Sequence, residues 1–298
     1  MAVENQRNMI LNDRAGQTFI NNKIKGRAID YVLARICQDG GFCFYRLEEP
    51  SGADTYYALS ILRLLNMPFY DEKTVRYLAN MQHDNGFYNN IFSAFYAIKS
   101  LQILGKKQKY DPWPYIVRCI RQHRINVKQL PVEITSIFKS LSYLIDLYYH
   151  FRLEPIEDID HHITRFILRF RNMDHGFGYI QSTLSETAYA LTMLKQLSYS
   201  IETLKTNNFI RQCEMPLFGF TDIPGSSLSY IEYMDAGASA SQLLSYRPRY
   251  LKECADFIIN CQNRNGGFAR ATHSGIATME NTFYAIHALK LLEAMLDK

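Results

Sequence analysis

The sequence predicts an all-α chain whose six helical hairpins close into an (α/α)6 barrel, and three observations carry that prediction. The first is a repeat. Asp54-Thr55-Tyr56-Tyr57-Ala58-Leu59 returns as Glu186-Thr187-Ala188-Tyr189-Ala190-Leu191 and as Glu280-Asn281-Thr282-Phe283-Tyr284-Ala285, with weaker copies starting at Ser93, Glu133 and Asp235. The anchors 54, 93, 133, 186, 235 and 280 are 39 to 53 residues apart, the size of one supersecondary unit. The second is a turn before the anchor: Gly40-Gly41-Phe42, Gly86-Phe87, Gly176-Phe177, Gly219-Phe220 and Gly266-Gly267-Phe268. The third is where the best copies fall. An open solenoid needs atypical polar caps at its ends, yet the first and last units here are the strongest copies, so a closed ring is favoured.

In order along the chain, residues 1–22 are polar and read as an arm, and residues 23–298 as one barrel domain. From Lys23 to Cys37 the residues Ile29, Val32, Leu33 and Ile36 recur at helical spacing, and Gly40-Gly41 stops the helix. Its partner runs from Asp54 to Leu65 and ends before Pro68. The second unit pairs Asp71–Met81 with Ser93–Leu104. The third places Pro114 near the start of a helix reaching Arg124, followed by a return from Val132 to Phe151. The fourth pairs Glu157–Asn172 with Ser185–Leu197, and the fifth pairs Ile201–Cys213 with a helix starting near Tyr230. The sixth pairs Pro248–Cys261 with Thr278–Leu296. No strand is expected. The Ala-rich helices that begin at the anchors suit the crowded inner ring, so their N-termini converge on one mouth beneath the Gly-Phe loops.

Composition removes several classes of function. The net charge of +4 comes from interspersed acids and bases, too mild and scattered for nucleic acid. No apolar run reaches the roughly 18 residues of a transmembrane helix. Residues Met1 to Gly16 lack the apolar core of a secretory signal. The six cysteines do not form a disulfide pattern: Cys37 and Cys261 sit before Gln at a repeat position that Met81 fills elsewhere, which marks small buried hydrophobes. A cytoplasmic location with reduced thiols is the expectation. The 21 Tyr and 18 Phe, against one Trp, are packing residues in the main, and those beside the anchors could line a cavity.

The runs Gln38-Asp39-Gly40-Gly41-Phe42, Gln82-His83-Asp84-Asn85-Gly86-Phe87 and Gln262-Asn263-Arg264-Asn265-Gly266-Gly267-Phe268 resemble the repeated turns of the squalene–hopene cyclase and protein prenyltransferase β-subunit superfamily. The likeness covers nearly the whole chain. It implies an α/α barrel with an aromatic-lined central cavity that takes isoprenoid chains. The catalytic zinc of prenyltransferase β subunits uses an Asp at an anchor, a Cys two residues on and a His three residues after another anchor. Here anchor plus two reads Tyr56, Phe95, Thr135, Ala188, Gly237 and Thr282. Anchor plus three reads Tyr57, Tyr96, Ser136, Tyr189, Ala238 and Phe283. No zinc is expected. His161-His162 beside Asp158 and Asp160 reads as a solvated first turn, since adjacent helical residues point about 100° apart. Class II terpene cyclases of the superfamily carry Asp-x-Asp-Asp-Thr-Ala with the last Asp at an anchor. Asp54 keeps that Asp and the Thr, Glu186 keeps acid, Thr and Ala, and Asp235 has Met234 where the proton donor sits.

The function these residues suggest is a terpene-cyclase-like enzyme, an isomerase that cyclises an isoprenoid or similar lipophilic chain. A carboxylic acid in an apolar pocket has a raised pKa and can protonate an alkene, and aromatic faces stabilise the resulting cation. The candidate acids are Asp54, Glu280, Glu186 and Asp235; the candidate lining is Tyr56, Tyr57, Phe95, Tyr96, Tyr189, Phe283 and Tyr284. Each acid has an ordinary reading too, as a cap or dipole partner of its helix. Arg46, Arg270 and His273, just after Gly-Phe turns, are candidates for an anion such as a diphosphate, with Mg2+ as the only metal such a ligand would bring. No other cofactor is expected. The alternatives are a non-catalytic barrel binding a lipid or protein, and a prenyltransferase β-like subunit needing a second chain.

Overall fold

The computed structural model describes residues 18–44, 49–123, 136–272 and 275–296. Those residues form twelve α-helices. In chain order they are α1 (Asn22–Leu33), α2 (Gly52–Leu64), α3 (Glu72–Asn80), α4 (Ile91–Ile103), α5 (Trp113–Gln122), α6 (Lys139–Phe151), α7 (Glu157–Leu168), α8 (Leu184–Gln196), α9 (Asn207–Gln212), α10 (Ile231–Leu243), α11 (Leu251–Asn260) and α12 (Met279–Leu296). The even-numbered helices make the inner ring: α2 packs on α4, α4 on α6, α6 on α8, α8 on α10, α10 on α12, and α12 returns to α2. The barrel is closed.

Chemistry at the seam explains the closure. Tyr31 of α1 donates its hydroxyl to the Ala277 carbonyl at 2.8 Å, and Gln262 reaches the Ile24 carbonyl at 3.3 Å. Thr18 Oγ1 and the Ile20 N–H both donate to Glu293 of α12 at 2.8 Å, so the described end of the N-terminal arm is tied to the last helix. The residues of that arm before 18 lie outside the described residues.

Three turns repeat one construction. Phe42, Phe177 and Phe268 are fully buried, and each bridges the chain on both sides, Phe42 pairing with Ile36 and with Ser51. The amide N–H of each Phe donates to a threonine of the following inner helix: Phe42 to Thr55 at 2.9 Å, Phe177 to Thr187 at 2.9 Å and Phe268 to Thr282 at 3.0 Å. Each Thr hydroxyl in turn donates to the carbonyl just before its helix, at Ser51, Thr183 and Thr278. The turn is thereby fixed to the helix start, with the buried Phe N–H and the Thr hydroxyl both paired.

Four expectations need correction. The return helix of the third unit starts at Lys139, not near Val132. Residues 124–135, with Glu133, lie outside the described residues, and Ser136 to Phe138 precede the helix, the N–H groups of Ile137 and Phe138 donating to Glu186 and that of Lys139 to Ser136 Oγ. The outer helix of the fifth unit is broken into a 3-10 turn, Ile201–Leu204, and the short α9, because Lys205 adopts φ 56°. A two-stranded ribbon, Glu214–Met215 with Gly219–Phe220, stands where no strand was expected. Finally, Asp54 and Glu186 do not cap their own helices. Ser51, Asn90 and Thr183, three residues before anchors 54, 93 and 186, accept the anchor N–H at 3.3, 2.9 and 3.1 Å, placing Asp54 and Glu186 in the dipole-favoured first turn instead.

Candidate functional site

The threonine-locked turns also fix the true register of the inner helices. Thr55, Thr187 and Thr282 are equivalent, so the residue matching Asp54 and Glu186 is Asn281, and Glu280 lies one position earlier than the repeat spacing indicates. Thr278 Oγ1 accordingly accepts the N–H of Asn281, not of Glu280. Counted from the residue preceding each helix, the second position holds Ala53, Phe92, Ser185, Glu232 and Glu280. The fifth holds Tyr56, Phe95, Ala188, Asp235 and Phe283, and the sixth holds Tyr57, Tyr96, Tyr189, Ala236 and Tyr284.

These rows divide the barrel interior in two. On the α2–α4–α6 side the large rings fill it. Tyr56 lies 5.1 Å from Phe95 between centroids, Phe95 stacks on Tyr143 at 4.0 Å, and Tyr57 meets Phe283 at 5.4 Å. On the α8–α10 side the same rows carry Ala188, Asp235 and Ala236, and a cavity of about 890 Å³ opens there towards the N-termini of α6, α8, α10 and α12. Of the seven aromatic residues expected to line it, Tyr189 and Tyr284 do; Tyr56, Tyr57, Phe95, Tyr96 and Phe283 belong to the packed cluster, being held against one another.

Of the four candidate acids, Glu186, Asp235 and Glu280 line this cavity and Asp54 does not. Glu280 Oε1 accepts from Tyr57 at 2.9 Å, Tyr284 at 3.0 Å and Lys139 Nζ at 2.9 Å. Burial alone would raise its pKa, but the Lys139 charge and these donors outweigh burial and hold the carboxyl below its ordinary value. Glu280 is an ionised, paired group, not a stored acid. Asp235 accepts from His287 Nδ1 at 2.6 Å, and that carboxylate raises His287 above its ordinary pKa against the opposing effect of burial. His287 stacks on Phe283, 5.4 Å between centroids.

Glu186 is buried and holds the start of the neighbouring α6. Its Oε1 accepts the Ile137 N–H at 3.0 Å and its Oε2 the Phe138 N–H at 3.2 Å. Burial pushes its carboxyl up to about 6 despite hydrogen bonds from Ser136, Ile137 and Phe138 that favour the anion. Asp54 is also raised, by burial first, with a Ser51 hydrogen bond acting against it and the Glu280 charge adding to it.

Sequence reasoning missed Lys139, Tyr143, Asp222 and His287. The first two sit on α6, whose unit lacks a Gly-Phe turn to set its register, and Asp222 and His287 fall outside the repeated motif. The anion-binding expectation fares differently for each member. Arg46 and His273 lie outside the described residues. Arg270 is occupied: its guanidinium meets Glu232 at 2.5 and 2.6 Å and lies 4.0 Å over the Tyr230 ring. Among the described residues no group of three or more His, Cys, Asp and Glu side chains could hold a metal ion, and no helix is long and apolar enough to cross a membrane.

A closed double ring of helices with an off-centre cavity at the inner N-termini defines an α/α toroid. Residues 9–89 and 88–298 match the family model for the prenyltransferase alpha-alpha toroid domain, and the chain belongs to that family. No curated protein sequence matches it. Among solved structures it is similar to Candida albicans protein geranylgeranyltransferase-I complexed with GGPP, at 18% identity, TM-score 0.64 and 90% of each chain covered. It also resembles a protein from Actinoplanes, at 16% identity and TM-score 0.54 over 91% of this chain and 98% of that one. A type II terpene cyclase from Scytonema, in complex with geranylgeranyl dihydroxybenzoate, shows 10% identity and TM-score 0.56 over 92% and 97%. At these identities the likeness is one of fold.

Proposed function

We propose that the protein binds an isoprenoid or similarly lipophilic chain in the cavity on the α8–α10 side. The observation that carries this reading is the volume of about 890 Å³, left open because Ala188 and Ala236 stand at rows filled elsewhere by larger side chains, with Thr192, Ser239, Tyr189 and Tyr284 also in its wall. Pockets of this size are ordinary for small-molecule ligands. The fold relatives complexed with GGPP and with a geranylgeranyl compound support the choice of ligand class. The reading needs no resident metal, cofactor or second chain.

Filling the cavity tests it. Ala188→Phe places a ring where α2 carries Tyr56, and it is expected to abolish binding of a farnesyl chain measured by calorimetry while the circular dichroism spectrum stays that of the parent. Undiminished binding to Ala188→Phe would sink the proposal.

A second reading, proton-initiated cyclisation, rests on Glu186. It alone among the candidate acids combines a place in the cavity wall with a carboxyl pushed up to about 6, close enough to neutrality to carry a proton in mildly acidic solution. Asp54 is raised but stands outside the cavity, and Glu280 and Asp235 are paired with Lys139 and His287. Incubation with polyprenyl substrates tests it: turnover by the parent that survives in Glu186→Gln would remove Glu186 from the role.

A further inference from the structure

We infer that the ligand of this cavity carries a cationic head, an amine, and that a phosphorylated head is excluded. The inference rests on the lipophile-binding reading and names the head group that the same site selects. Among the described residues two basic side chains face the cavity, Lys139 and Arg270, and each is already paired with a carboxylate. Lys139 Nζ is 2.9 Å from Glu280 Oε1, and Arg270 is held by Glu232 at 2.5 Å. Five acids among the described residues face the same space, so once those two pairs are formed Glu186, Asp222 and Asp235 remain, with His287 behind Asp235 as a further partial counter-charge. The surplus is negative.

The helix N-termini around the mouth favour anions, but the protein has already placed carboxylates there. Glu186, Glu232 and Glu280 occupy the first turns of α8, α10 and α12. Burial raises both Glu186 and Asp222, the cost of holding negative charge in a partly dry cavity. A cation entering the site relieves that cost, and a phosphate adds to it. The rings of Tyr189, Tyr233 and Tyr284, which line the cavity, offer the same cation a second attraction through their quadrupoles. Charge surplus and aromatic lining thus point to the same head group.

The test is calorimetric titration of the full chain with three probes sharing one farnesyl chain: farnesylamine, farnesol and farnesyl phosphate. Farnesylamine is expected to bind about tenfold or more tightly than farnesol, and farnesyl phosphate more weakly than both. Phosphate binding equal to or tighter than amine binding overturns the inference, as does farnesol matching farnesylamine. Silence from all three probes instead overturns the lipophile-binding reading. Loss of amine binding in Ala188→Phe locates it in the cavity, whereas amine binding unchanged in that variant is surface adsorption and overturns the assignment. Glu280→Gln removes one negative charge and frees Lys139. It is expected to shift the amine-to-phosphate ratio towards phosphate, and an unchanged ratio counts against the charge argument.

Discussion

Glu186→Ala separates the two roles of this carboxylate, and the structure supplies the magnitude. The substitution leaves the N–H groups of Ile137 and Phe138, both buried, without their acceptor. A buried donor left unmade costs roughly 1–3 kcal/mol, so two give roughly 2–6 kcal/mol. Against this stands relief of a buried charge. Burial raises the folded pKa from 4.5 to about 6, and at 1.36 kcal/mol per unit the ionised group costs the native state about 2 kcal/mol at neutral pH. The net expected loss at pH 7 is roughly 0–4 kcal/mol. The pH dependence has a definite sign. A carboxyl whose folded pKa is raised contributes stability that is fully present below its unfolded value and lost as pH rises through the folded one. The parent's advantage over Glu186→Ala should therefore widen by about 2 kcal/mol between pH 7 and pH 4.5. Urea unfolding followed by circular dichroism across that range is the assay. A gap that stays flat, or narrows on acidification, refutes the account of Glu186 as a buried carboxylate holding α6.

The remaining predictions are smaller. Thr282→Val removes the acceptor of the fully buried Phe268 N–H and should cost roughly 1–3 kcal/mol in the same unfolding assay; Asn281→Ala, next to it, should cost less than half as much. Gly267→Ala would drive a Cβ into the Tyr31 ring at the seam between the last and first units, so it should lower the melting temperature by several degrees, roughly the 1–3 kcal/mol typical of overpacking. His287 is raised by Asp235, so its pairing stabilises below its ordinary pKa and fades as pH rises past the folded value. His287→Gln should accordingly lose more stability relative to the parent at pH 6 than at pH 8, and equal losses would show the pair to be uncharged.

The fold was legible in the sequence, whereas the cavity was not, and one physical fact explains both. A repeat reports what its copies share. Here the shared parts are the Gly-Phe turn, in three units the threonine that receives the Phe N–H, and a small residue at the seventh position from each helix start: Ala58, Ala97, Ala190, Gly237 and Ala285, where the inner helices are crowded. At Gly237 even a methyl group would run into the Phe220 ring, 2.5 Å away. All of these build the wall, so the sequence pattern names the wall correctly. A cavity exists only where the copies differ. Had the fifth row read aromatic in every unit, as it does at Tyr56, Phe95 and Phe283, the interior would be packed solid. Ala188 and Asp235 open it.

The one-residue offset of Glu280 follows from the same cause. The spacing between the turn and its threonine is 13 residues for Phe42–Thr55, 10 for Phe177–Thr187 and 14 for Phe268–Thr282. With loops of unequal length, an acid near a helix start cannot be placed by counting from the turn; only the hydrogen bond to threonine sets the register. That single residue decides the chemistry. In the second row Glu280 faces Lys139, Tyr57 and Tyr284 and is held as an anion in the cavity wall. The third-row position of the same helix belongs to Asn281, whose N–H is bonded to Thr278 and which forms none of these contacts in the structure. The residues that distinguish this barrel's interior are therefore those that depart from the repeat, and variants at Ala188, Asp235 and Glu280 should alter ligand selection more than variants at any residue the copies share.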